Sequence, residues 1–174
     1  FDRSNDLKPL SVVTGDIIAK NAYEWSKATE SPLAQAAVKG AEKITVRPLL
    51  GHSGKAVKLP KGASLSYDFY CDKSGDARFT IAAIPCFLNA VKDMRVSVSI
   101  DRGEPVICQL KEVYNSKDWQ FDLWRGQTLK SFYVTLPGGS HNVTIKALDD
   151  NVMIDQWVLD YDVDREYYVF PVAK

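Results

Sequence analysis

The feature that most constrains this chain is a period-two alternation of apolar and polar residues, repeated in short runs from residue 44 onward. It is plain in Leu65-Ser-Tyr67-Asp-Phe69 and in Met94-Arg-Val96-Ser-Val98-Ser-Ile100. Successive side chains of a strand point to opposite faces, so this alternation asks for sheets with one face on a core and the other in water. Further runs are Ile44–Val46, Ala56–Leu59, Arg78–Ile84, Pro105–Leu110 and Lys130–Leu136, and a closing pair lies within 136–162. Between them stand turn-formers: Gly51-His-Ser-Gly54, Pro60-Lys-Gly62, Asp101-Arg-Gly103-Glu104, Pro137-Gly-Gly139 and Asp149-Asp-Asn151. Some eight to ten short antiparallel strands at regular spacing predict an all-β sandwich or barrel.

The first forty residues read differently. Asp16–Ala19 suits an opening strand, and Ser31-Pro-Leu-Ala-Gln-Ala-Ala-Val-Lys-Gly40 is either a short helix begun by Ser-Pro and stopped by Gly, or a loop. Residues 1–14 are expected to be an extension ahead of one domain spanning 15–174. The chain begins at Phe1 with neither an initiator Met nor a signal-peptide pattern, as a processed protein or a piece of a longer one would.

Lys+Arg and Asp+Glu both number 22, a balance that argues against a nucleic-acid partner, which would call for a basic excess on one face. No run approaches the roughly 18 apolar residues needed to span a bilayer. Cys71, Cys86 and Cys108 are widely spaced and form no CxxC pair, so they read as free thiols with at most one disulfide among them.

Motifs that suggest catalysis fall short of it. Gly51-His-Ser-Gly-Lys55 lacks the final glycine of a nucleophile elbow and the Ser or Thr of a phosphate loop, so it reads as a turn. His52 and His141 are the only histidines, and His141, after Pro-Gly-Gly-Ser, is expected to serve a turn rather than act as a base. Asp149-Asp-Asn151 could offer oxygens to calcium, but a hairpin turn uses the same residues. Asn142-Val-Thr144 is formally a glycosylation sequon at a strand start. No catalytic residue and no metal ligand set is assigned.

The aromatic residues say more. Tyr114, Trp119, Phe121 and Trp124 crowd one irregular stretch with Asp118 and Arg125. Exposed rings beside polar groups grip sugars by stacking on C–H faces while the polar groups bond hydroxyls. Equally, such rings plug the end of a sandwich. Tyr114, Asp118, Trp119, Trp124 and Arg125 are the candidate ligand-binding set, and both readings stay open.

Asp155 stands out within Val152-Met-Ile-Asp-Gln-Trp-Val-Leu159, because a carboxylate inside a sheet is costly unless it is paired.

Several segments, in order and spacing, resemble the C-terminal domain of glycoside hydrolase family 115, the xylan α-glucuronidases. They are Leu49-Leu-Gly-His-Ser-Gly-Lys-Ala-Val57, Ser99-Ile-Asp-Arg-Gly-Glu-Pro105, Trp119 with Leu123-Trp-Arg125, Leu136-Pro-Gly-Gly-Ser-His-Asn-Val-Thr-Ile145, Asp155-Gln-Trp-Val-Leu-Asp160 and Tyr168-Val-Phe-Pro171. That domain in turn resembles the galactose-binding-like jelly rolls of carbohydrate-binding module families 6 and 35. The resemblance implies an ancillary, non-catalytic module, secreted or periplasmic, whose partners are a plant cell-wall polysaccharide and an upstream catalytic domain or twin subunit. A purely structural or dimerising module is the alternative, and a small hydrolase or lyase in its own right the next.

Related modules hold a structural calcium with an opening Glu-x-Glu strand and an aspartate of the last strand. Here the matching stretch is Ile17-Ile-Ala-Lys20-Asn21, so the resemblance implies that the calcium ligands are replaced and that Lys20 or Asn21 pairs with Asp155 in their stead.

Overall fold

The computed structural model describes residues 17–88 and 90–166. The expected extension 1–14 and the Tyr168–Pro171 segment lie outside them. Among the described residues, alternation becomes eleven strands in two antiparallel sheets. In the larger sheet the order is β3 (Thr45–Pro48), β4 (Lys55–Leu59), β11 (Val152–Asp160), β6 (Gly75–Ala83) and β9 (Thr128–Leu136), with β1 (Ile17–Asn21) also paired to β11. The smaller sheet runs β2 (Lys27–Thr29), β5 (Ser64–Cys71), β10 (Gly139–Ala147), β7 (Arg95–Ile100) and β8 (Val106–Gln109). The architecture is the expected all-β sandwich, with β2 the strand that alternation did not announce.

Two strands show why these residues form these elements. On β5, Leu65, Tyr67, Phe69 and Cys71 are buried, while Ser64, Ser66, Asp68 and Tyr70 face outward. β11 is buried almost throughout, since it is central in its sheet and covered on both faces, and its sequence accordingly runs apolar without a break except at Asp155, Gln156 and Asp160. Trp157 lies at the centre of the core, its ring 5.6 Å from Tyr67, 5.5 Å from Phe69 and 5.3 Å from Phe79. The Tyr67 hydroxyl, deep in this core, donates to the Ala22 carbonyl at 2.7 Å, which satisfies it without water. All three cysteines are free.

Two helices interrupt the strands. α1 is one turn, Pro32–Gln35, with Ser31 as N-cap, so the helical reading holds for part of the 31–40 stretch. α2 (Lys117–Arg125) occupies what read as an irregular aromatic stretch. Its start is set by Ser116, whose hydroxyl accepts from the Trp119 amide at 3.1 Å. Its end is set by Gly126 at φ 72°, the left-handed conformation that closes a helix and suits glycine. His141 is not the turn residue expected: it sits buried on β10, between the sheets.

Candidate functional site

The site is built on Asp155. Strand β11 slips its register against β6 between Ile154 and Gln156, leaving Asp155 as the extra residue of a bulge. The bulge turns its carboxylate toward the Gly51–Ser53 turn, where Oδ2 accepts from the His52 amide at 2.7 Å. Oδ1 accepts from the Ser53 amide at 3.0 Å and from the Ser53 hydroxyl at 2.5 Å. Gln127 Nε2, just after α2, donates to Oδ2 at 2.8 Å. Gly51, at φ +77°, lets the turn come this close: a Cβ there would stand 2.5 Å from Asp155 Oδ1. From the same turn, His52 Nε2 bonds the Arg125 carbonyl at 2.9 Å. One buried side chain therefore ties the β3–β4 turn and Gln127 to the last strand, and His52 of that turn ties in the end of α2.

This corrects the expected pairing of Asp155 with Lys20 or Asn21. Register sets Lys20 opposite Trp157 and Asn21 opposite Gln156. The Asn21 side chain goes instead to the Tyr23 hydroxyl and accepts from Gln156. Strand β1 does reach Asp155, but through the backbone, where the Ala22 amide donates to its carbonyl at 2.9 Å. Nor does this pocket fit calcium. The carboxylate meets two backbone N–H groups, an amide and a hydroxyl, all turned to it as donors, whereas calcium asks for six to eight oxygen lone pairs. Among the described residues no group of three or more His, Cys, Asp or Glu could hold a metal.

The candidate binding residues gather at this end but do not form one cluster. Tyr114 and Trp119 meet edge to face at 5.0 Å, and Phe87 from the β6–β7 loop joins Trp119 at 5.7 Å. Lys111 fastens the two loops, donating to the carbonyls of Cys86 at 2.6 Å and Leu88 at 3.0 Å. Trp124 lies five positions after Trp119, which at 3.6 residues per turn is roughly 140° around the helix. It is 93% exposed, beside Arg125. Asp118 is exposed in the first turn and Arg125 half-buried in the last, each favourably placed for the helix dipole. Inward from α2, Asp122 accepts from the Thr128 hydroxyl at 2.6 Å, and burial pushes its carboxyl up to about 6. Sequence reasoning missed Ser53 and Gln127 as partners of Asp155, although the glycine-flanked turn marked the former.

Two adjoining depressions share Asp68, Asp101 and Asn142: one of about 720 Å³ on the outward face of the smaller sheet, and one of about 800 Å³ at the edge of the sandwich, lined also by Ile18 and Lys20 of β1 and by Phe69 and His141. Asn142 Nδ2 donates to Asp68 at 3.0 Å, and the hydroxyls of Ser66 and Thr144 lie 2.9 Å apart. With its amide engaged this way and half-buried, Asn142 is a sheet residue rather than an open sequon. At one end His141 Nδ1 faces Asp101 Oδ2 at 2.5 Å and Nε2 faces the Pro137 carbonyl at 2.6 Å. Two acceptors hold both ring nitrogens as donors, which is the imidazolium form. Burial opposes that charge, but Asp101 and Pro137 outweigh it and raise the His141 pKa above its usual value.

Comparison with known proteins matches these features. The family model for the glycosyl hydrolase family 115 C-terminal domain covers residues 15–173. A solved family GH115 4-O-methyl-alpha-glucuronidase with specificity for decorated arabinogalactans is similar at 26% identity and TM-score 0.65, over 81% of this chain. This chain spans only 17% of that one. The C-terminal family 6 carbohydrate-binding module of LamC from Zobellia galactanivorans shares the fold at TM-score 0.54 and 16% identity, covering 83% of this chain and 98% of its own. A family 35 carbohydrate-binding module from Clostridium thermocellum does so at 0.56 and 13%, covering 82% and 97%. No curated protein matches the chain.

Proposed function

Because the chain belongs to the glycosyl hydrolase family 115 C-terminal domains, we propose that it is the non-catalytic carbohydrate-binding module of such an enzyme and that Trp124 leads its sugar contact. One observation carries the reading: a tryptophan 93% exposed on a helix that is capped at both ends and bonded through the Arg125 carbonyl to His52, in the turn that the buried Asp155 holds. An exposed ring on a floppy loop would lose much of its binding energy to ordering, and the Asp155 anchor removes that cost. Arg125 and Asp118 on the same helix supply polar contacts, and the exposed Tyr114 with the half-buried Trp119 forms the adjoining wall. The polysaccharide is of the plant cell-wall class, glucuronoxylan or a decorated arabinogalactan, met outside the cytoplasm by an enzyme whose catalytic domain lies elsewhere in the polypeptide. Affinity electrophoresis in gels containing glucuronoxylan tests this. Trp124→Ala should lose at least about five-fold in retention, since stacking on one ring is worth roughly 1–3 kcal/mol. Unchanged retention would sink the reading.

A second reading has its own observation. Leu88 and Val113 stand exposed next to Tyr114, and aliphatic groups do little for a sugar but suit a protein neighbour. On this reading the Tyr114 side of the end packs against the catalytic domain or a twin subunit. Sedimentation of the chain alone would reveal the twin-subunit form as a concentration-dependent dimer.

A further inference from the structure

We infer that Asp122 is a pH-sensitive catch beneath helix α2, seating the helix firmly in acid and loosening it, with the surface that carries Trp124, as the pH rises. The catch itself stands on the packing of α2, and its effect on binding rests on the Trp124 reading.

Along α2, Asp118, Leu123 and Trp124 face solvent, whereas Asp122 is 4% exposed and turned under the helix. Its carboxylate takes one hydrogen bond, from the Thr128 hydroxyl at the start of β9, at 2.6 Å. Asp155, also buried, accepts from two backbone amides, a hydroxyl and a side-chain amide. Four donors answer a buried negative charge, and a single hydroxyl leaves most of it uncompensated. Lys130 of β9 is committed elsewhere: its ammonium pairs with Glu112, so two carboxylates share one lysine. The charged and titratable groups around Asp122 are Glu112 from the loop ahead of α2, Lys130 from β9, Arg125 and Asp118 from its own helix, and His52 from the turn that meets the helix end.

These groups set the direction of the response. Burial, more than any neighbour, raises the Asp122 carboxyl to about 6, and Glu112 adds to it while Thr128, Arg125 and Lys130 oppose. Once α2 lifts and water reaches it, the carboxyl returns to its ordinary 3.8. A carboxyl raised in the fold favours the seated helix while protonated, so that support is complete below 3.8 and is lost as pH rises through about 6. The two values make the seated state about ten-fold more favoured at pH 5 than at pH 8. Helix α2 is free to respond because it lies between strands β8 and β9, outside both ladders, so it can shift without unpairing a strand. The protonated acid keeps a carbonyl oxygen for the Thr128 hydroxyl, so that bond survives in acid.

Amide exchange on the full chain reads the catch directly, each rate being referred to the unstructured-chain rate at the same pH. Protection of the Trp119–Gly126 amides should be about ten-fold higher at pH 5 than at pH 8. In Asp122→Asn, which still offers Thr128 an acceptor but cannot ionise, that protection should stay level within about two-fold. Flat exchange in the unsubstituted chain overturns the inference, as does an Asp122 carboxyl resonance that titrates at its ordinary value. A response that survives in Asp122→Asn belongs to another group, His52 first, and overturns it too. Retention in glucuronoxylan gels at the same two pH values reads the consequence. It should be stronger in acid, by no more than the same factor, and level in Asp122→Asn. Exchange that responds while retention does not overturns the control of binding. Retention indifferent to Trp124→Ala, with the exchange response intact, sinks the Trp124 reading and leaves the catch standing. Flat exchange with retention lost in Trp124→Ala does the reverse.

Discussion

The helix-bearing end of the sandwich and the outward face of the smaller sheet are held in shape by different means. The sheet face follows from register alone: Asp68 meets Asn142 and Ser66 meets Thr144 because β5 and β10 pair there. The loop end has no ladder to shape it. It depends on Asp155, which reaches residues more than a hundred positions away in sequence through His52 and Ser53. A surface made by register tolerates single changes, since its neighbours remain paired. A surface made by one hub fails together when the hub is lost. Both are available to a binding module, but only the second presents a large exposed ring on an otherwise irregular segment.

Removing the hub breaks this contrast most sharply. Asp155→Ala takes the acceptor from two part-buried turn amides and the Ser53 hydroxyl and one of two acceptors from Gln127, and should cost about 3 kcal/mol in urea denaturation. Amide exchange would show where: the His52 and Ser53 protons should lose protection while those of β5 and β10 keep theirs under native conditions. Uniform loss across both sheets would mean the end is not a separate unit. Gly51→Ala attacks the same contact from the other side. Its Cβ must displace the carboxylate while the backbone stays at φ +77°, for about 1–3 kcal/mol. If the melting temperature barely moves, the turn is less tightly seated than the geometry requires.

The His141–Asp101 pair beside that face should answer to pH instead. His141 is raised above its ordinary 6.5 in the fold, so its contribution is complete below that value and fades as pH rises through the folded value. Asp101 is lowered from 3.8: burial works to raise it, but His141 and the Asn142 amide prevail, so its contribution is present above 3.8 and fades in stronger acid. The stability lost in His141→Gln should therefore be largest between about pH 4 and 6.5 and shrink toward pH 8, read as a difference in melting temperature. A difference that does not vary with pH would remove the imidazolium from the picture. Smallest of all should be the stability effect of Trp124→Ala, within about 0.5 kcal/mol for so exposed a side chain. A larger loss would mean the ring packs against the fold rather than waiting for a ligand.

Much of the sandwich was legible because burial writes itself into the chain with period two, as Leu65, Tyr67 and Phe69 show. Helix α2 was legible in principle: Ser116 and Gly126 bracket it, yet the density of aromatics drew the eye from its caps. Strand β2 carries three exposed residues and so no alternation to read. For Asp155, sequence raised the right question and the neighbouring strand misled. Strand β1 does lie beside it, but a one-residue bulge decides which way the carboxylate turns, and bulges leave no periodic trace. The hollow on the outward face of the smaller sheet left no sequence signal, because Ser64, Ser66 and Asp68 read as ordinary solvent-facing positions until the fold brought Arg102 alongside.

The anchoring of the Gly51–Ser53 turn has a practical corollary. Two of the four donors to Asp155 are main-chain amides, which every residue but proline can provide. The mount is thus largely indifferent to what it displays. Leu49, Leu123 and Trp124, which point away from it, could be randomised as a library while Gly51, Ser53, Gln127 and Asp155 are kept, giving a compact single-chain scaffold for selecting new specificities.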